Sequence, residues 1–356
     1  MEIRMDDHSE QTLPPPTLPK DLRISLMGFQ DQEFTQTFGE HLCSTLAACS
    51  RVLDLERLAG VTVGYDLASA IASVDMGEPG VSPPSFTSTA EVECIAKAVT
   101  VKRDGIEKTH VVYSAAFIQD IVDNTSPGYQ QALHLIAHEL GHVAELKWRD
   151  ESAPGLDEKL KDGNFADNLF LHTATAVWEE YAACRLTGFI GDVEALKEQY
   201  AKNFDESAGL YLERARDKIK DFRVHGSVDT LLLQAGTHTA MPLKLASYLL
   251  GHLDANQDET DLKVLCPTYD DSGLTELIPR FWTALRSTWN RMDDKAGLAV
   301  FDELKQVVIE SYINAGVNIR PQDEGYFVNA PFTAETMPNG EADMLIVRAR
   351  QALGLL

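Results

Sequence analysis

The spacing of apolar residues changes along this chain, and the change suggests how it is divided. From residue 22 to about 120 the pattern is mixed. Apolar positions three and four apart predict a helix over Glu33–Arg57, and the alternating run "GVTVGYDL" predicts a strand. Two β-rich runs, Ala96–Lys102 and Thr109–Ser114, flank Asp104-Gly105, a dipeptide that favours the two-residue turn of a hairpin. A long helix is expected to begin near Ser126-Pro127, a hydroxyl cap followed by proline, and to run to about Trp148. A second is expected over Asp167–Leu186. Beyond Gly191 the pattern is almost wholly helical, over 192–222, 228–253, 273–292 and 297–315, with a short terminal helix at 340–352. The polar N-terminus, with Pro14-Pro15-Pro16, reads as an extended tail, and "GEPGVSPPSFTST" reads as a loop. The expected organisation is a tail over 1–21, a mixed domain over 22–190 and a helical domain over 191–356.

Composition narrows the function. At 356 residues the chain is longer than one core usually accommodates, and its 44% hydrophobic content is that of a globular protein. Its 55 acidic and 31 basic residues give a formal net charge of −24, which repels phosphate backbones and anionic lipid. Neither nucleic acid nor a membrane surface is therefore an expected partner. Five scattered cysteines form no C-x-x-C pair, so neither a disulfide framework nor a cysteine zinc site is expected. With no apolar leader or membrane-length segment, the expected location is the cytoplasm.

The chemistry concentrates in "LIAHELGHVAEL", residues 135–146. On a helical wheel with His138 at zero, His142 falls at about 40° and His134 at about −40°. Leu133, Ile136, Leu140 and Val143 lie on the far side, so the wheel separates an apolar face from a histidine face. Histidines four apart can offer two imidazole nitrogens to one metal, and Glu139 beside them can take a proton from water as general base. Zinc requires a further protein ligand. On the second helix, Glu180 flanks the apolar stripe of Phe170, Ala174, Val177, Tyr181 and Cys184, while Glu179 points away from it. Glu180 is thus the expected third ligand, with Glu179 solvated and His172 the competitor. Glu145 is expected at a cleft edge or in solvent, and His134 as cleft lining. Gly141, at the flank between the two faces, would let a neighbouring backbone approach closely.

"HELGH" followed by "WEEYAACRL" resembles the gluzincin type of zincin metallopeptidase, with HExxH on one helix and a glutamate on the next. The metzincin continuation is excluded, because its glycine and histidine would fall at Glu145 and Trp148. The thermolysin-like N-E-x-x-S-D is absent. The likeness to the ImmA/IrrE regulatory peptidases is looser, sharing HELGH but not the E-A-N pattern. The resemblance implies an α+β fold: a zincin-like catalytic domain, whose small mixed sheet and edge hairpin pack on the HExxH helix, plus a mostly helical C-terminal domain. It also implies zinc held by His138, His142 and Glu180, Glu139 as general base, and a peptide or protein substrate paired along an edge strand, for which Thr109–Ser114 is the candidate. His238, Tyr248 and Tyr326 are candidates for stabilising the oxyanion. The alternatives are a non-catalytic metal-binding regulatory or interaction protein on the same scaffold, and a non-haem iron protein using two histidines and a carboxylate.

Overall fold

The hairpin turns where the sequence places it. In the computed structural model, which describes residues 14–84, 94–156, 159–160, 164–294, 296–322 and 325–355, Asp104 and Gly105 both adopt positive φ, 53° and 78°. That geometry matches the right-handed twist of the strands that it joins. The first thirteen residues of the expected tail, and part of the expected loop, lie outside the described residues. The protein is mixed α and β, mostly helical with a small mixed sheet. Its residues divide into two compact units, Met1–Ala144 and Glu145–Leu356. The division falls inside a helix.

The first unit contains β1 (Ile24–Met27), α1 (Gln32–Cys49), β2 (Leu58–Gly64), α2 (Leu67–Ala72), β3 (Ala96–Arg103), β4 (Ile106–Ser114), α3 (Ala115–Ile118) and the first part of α4 (Tyr129–Ser152). Asp31 caps α1 by accepting the amides of Glu33 and Phe34. The helix ends at Cys49, short of the expected Arg57, where the side chain of Asp54 takes the amide of Glu56 and favours a turn. The sheet order is β1-β2-β4-β3, with β1, β2 and β4 parallel and β3 antiparallel to β4. This corrects the expectation for Thr109–Ser114. Those residues are interior, with Val111 paired to Val61 on one side and Ala98 on the other. The sheet's outer strands are β1 and β3.

Alternation along β4 sends its side chains to opposite faces. Val112 joins Val99 and Val101 in a cluster with Leu67, Ala70, Ile71 and Val74 around α2. Tyr113, on the other face, is fully buried and donates its hydroxyl to the backbone carbonyl of Ile136 on α4, at 3.0 Å. The sheet is thereby tied to the helix that carries the candidate chemistry.

The second unit contains the end of α4, then α5 (Phe165–Thr187), α6 (Val193–His225), α7 (Val228–Ala255), α8 (Leu262–Leu265), α9 (Leu277–Met292), α10 (Asp302–Ala315), β5 (Asn318–Gln322), β6 (Gly325–Asn329) and α11 (Glu341–Ala352). Asn164, Asp192 and Ser227 cap α5, α6 and α7. Gly226, at φ 69°, supplies the left-handed residue that ends α6. The core gathers Phe170, Trp178, Tyr181, Phe204, Leu249, Leu250, Phe281 and Phe301. α5 and α7 approach closely at Gly251, where a Cβ would meet the carbonyl oxygen of Tyr181 and stand 2.9 Å from Cys184 Cβ. Asp254 is an acceptor for Tyr181, Trp282 and Arg286. The β5–β6 hairpin, in a stretch of Pro and Asn punctuation, was not expected from the sequence. No helix among the described residues is long and apolar enough to cross a membrane.

Candidate metal centre

α4 keeps the two faces that its sequence predicts, and both are buried. Ile136, Leu140 and Val143 are inaccessible, while Leu133 is only half-buried. On the polar face His134, His138 and Glu139 are also buried, and His142 is half-buried. Gly141 between the faces is buried too. Burying a row of polar side chains is costly unless they are paired or coordinated. The wheel therefore separated the two faces and underestimated the enclosure of the polar one.

The geometry of that face is specific. His138 Nε2 and His142 Nε2 lie 3.2 Å apart, with the rings nearly perpendicular at 86° and their centroids 4.8 Å apart. Two nitrogens bound at about 2.0–2.1 Å to one tetrahedral zinc stand about 3.3 Å apart, so the spacing fits one edge of such a coordination sphere. Ligand atoms of His138, Glu139 and His142 all fall within 4.8 Å of one another. No other such group is found among the described residues. A shared proton between neutral imidazoles would also fit 3.2 Å, and metal binding distinguishes the two. Beneath this turn, burial pushes the Tyr113 phenol well above its ordinary pKa, and the charge of Glu139 pushes it further.

In the second unit, the structure turns the two adjacent glutamates of α5 in different directions. Glu180 is buried, with Oε1 3.0 Å from Lys244 Nζ on α7. Tyr248, four residues after Lys244, is hydrogen-bonded to Glu180. Burial, with the charges of Glu180 and Cys184, raises its pKa well above normal. Glu179 is partly exposed and pairs with Arg149 at 3.0 Å. The burial of the two side chains follows the wheel. His172 is exposed.

One expectation fails on this helix pair. Glu145 is not at a solvated edge; it is 1% exposed, accepting from Trp178 Nε1 at 2.9 Å and from Arg149 Nε at 2.8 Å. The sequence offered an i, i+4 spacing for Arg149 but gave no sign of the indole contributed by α5. Of the three oxyanion candidates, Tyr248 lies against Glu180, Tyr326 donates to Asp167 at 3.1 Å, and His238 is half-buried on α7. Sequence reasoning missed two residues, Tyr113 and Lys244. Tyr113 could be placed only by strand alternation, and Lys244 only by its helical spacing from Tyr248.

Compared with known protein families, curated proteins and solved structures, the chain matches none.

Proposed function

We propose that this protein is a zinc-dependent metallopeptidase, with His138 and His142 as metal ligands, Glu139 as general base and Glu180 as the third ligand. The observation that carries the reading is the convergence of two imidazole Nε2 atoms at 3.2 Å, beside a buried carboxylate on the same helix. The zincin-like reading of the first unit draws support from its sheet, three parallel strands with an antiparallel outer strand, tied to the HExxH helix. With Thr109–Ser114 interior, β3 becomes the strand proposed to pair with an extended substrate. No disulfide joins any of the five cysteines, which supports a reducing, cytoplasmic setting.

The donor set suits the metal: imidazole nitrogen is a borderline ligand and carboxylate oxygen a harder one, and zinc accepts both. Bound there, zinc would supply Lewis acidity, polarising a carbonyl and lowering the pKa of water to about 7. The chain's own part falls to Glu139, whose carboxylate takes the proton from the attacking water and returns it to the departing amine. Its burial limits competing solvent around that transfer.

The test begins with metal analysis of protein purified without added metal, which should give about one zinc per chain. Iron in place of zinc overturns the assignment. Glu139→Gln should retain metal and lose at least about 100-fold in peptide cleavage. Retained metal and unchanged cleavage would remove Glu139 from the chemistry, and a wild-type chain that binds zinc but cleaves nothing would favour the non-catalytic reading. Glu180→Ala should lose metal affinity while Glu179→Ala keeps it; the reverse refutes the choice between them.

A further inference from the structure

We infer that Tyr113 is a positioning residue for the metal centre: its hydroxyl, bonded to the Ile136 carbonyl, sets the placement of the α4 turn that carries His138 and Glu139. This inference rests on the proposed metal-binding role of His138 and His142. In a regular helix the carbonyl of residue 136 already accepts the amide of residue 140. The bond from Tyr113, at 3.0 Å, is therefore a second one on the same oxygen, and it comes from a different element. The phenol is fully buried at the end of β4, a strand held on both sides by β2 and β3. It is thus a rigid donor on a rigid strand. Ile136 stands two residues before His138, within the same turn, so a tether at its carbonyl limits both rotation and sliding of that turn. Packing alone restrains shifts along a helix axis only loosely, and a directional hydrogen bond adds a restraint between two specific atoms. Metal sites demand such control, because the ligand nitrogens must converge within tenths of an ångström.

The effect is separable from stability because Tyr113 and Val112 occupy opposite faces of β4. Tyr113→Phe keeps the ring and deletes only the hydroxyl. Val112→Ala opens a small void in the cluster around α2 and leaves the α4 contact in place. The experiment measures zinc affinity of the full chain by chelator competition, together with unfolding of the metal-free protein. Cobalt absorption reports ligand geometry in the same variants. Tyr113→Phe should bind zinc about fivefold more weakly, equivalent to about 1 kcal/mol, and should alter the cobalt spectrum. Val112→Ala should lower metal-free stability while leaving zinc affinity and the cobalt spectrum unchanged. Equal losses of zinc affinity in both variants would show that affinity merely follows stability, and would overturn the inference. So would Tyr113→Phe with wild-type affinity and spectrum. If the wild-type chain binds no metal, the proposed function fails first, and that outcome is distinct from either of these.

Discussion

His110 makes the first unit sensitive to acid, and the size of the effect follows from where the ring sits. Its Nε2 lies 2.8 Å from Thr62 Oγ1, and the ring fills the space beside Gly60, where a Cβ would stand 2.8 Å from it. Burial lowers the imidazole pKa to about 4, helped by the charge of Arg103 and opposed by Asp75. In the unfolded chain the same group titrates near 6.5. Between those values the unfolded state binds more protons than the folded one, so stability falls with falling pH. The contribution is complete above about pH 6.5 and is lost as pH drops towards 4. Linkage between these two values gives a loss of about 2 kcal/mol at pH 5 and about 3 kcal/mol in the acid limit. The assay is urea unfolding from pH 7.5 to 4.5, with amide exchange in β2 and β4 reporting the first unit. His110→Gln keeps a polar group facing Thr62 and removes the titration. Relative to this variant, the wild-type chain should lose about 2 kcal/mol between pH 7.5 and 5. Parallel profiles for the two proteins would show that His110 does not titrate differently on folding, and the argument would fail.

Two further predictions concern the second unit. Asp254→Ala removes the acceptor shared by Tyr181, Trp282 and Arg286 and should cost about 3 kcal/mol, read by thermal unfolding; a loss below about 1 kcal/mol would mean that these donors find other partners. Gly251→Ala forces a methyl group against the Tyr181 carbonyl and Cys184, so it should destabilise by about 2 kcal/mol or more, despite the better helix propensity of alanine. A neutral or stabilising result in denaturant unfolding would refute the close approach of α5 and α7.

Much of the fold was legible because its signals are local. The hairpin is written in Asp104-Gly105, and the expected second helix, Asp167–Leu186, matches α5 to within two residues at each end. β1 was missed because four residues carry too little periodicity to register, and its pairing with β2 is a non-local fact. The error over Thr109–Ser114 has the same origin: a strand's own sequence does not say which neighbours flank it. The start of α4 was expected at Ser126-Pro127, but the helix begins at Tyr129, with Ser126 accepting the amide of Gly128 in the preceding turn. For the candidate site, the wheel separated His138 and His142 from the apolar stripe because helical period is a property of the segment itself. Enclosure of that face, and the burial of Glu145 beneath Trp178, depend on other elements and left no trace in the local pattern.

The setting of Glu180 within α5 bears on how this chain can evolve. Trp178 and Tyr181, on either side of the Glu179–Glu180 pair, are among the largest fully buried side chains in the protein. Moving the carboxylate forward to position 181 would evict Tyr181 and its bond to Asp254; moving it back to 179 would turn it towards Arg149. If Glu180 serves as the third ligand proposed above, the positions beside it offer the carboxylate no equivalent place. Substitution at 180 would then be constrained by its packed neighbours, whereas His172 is exposed.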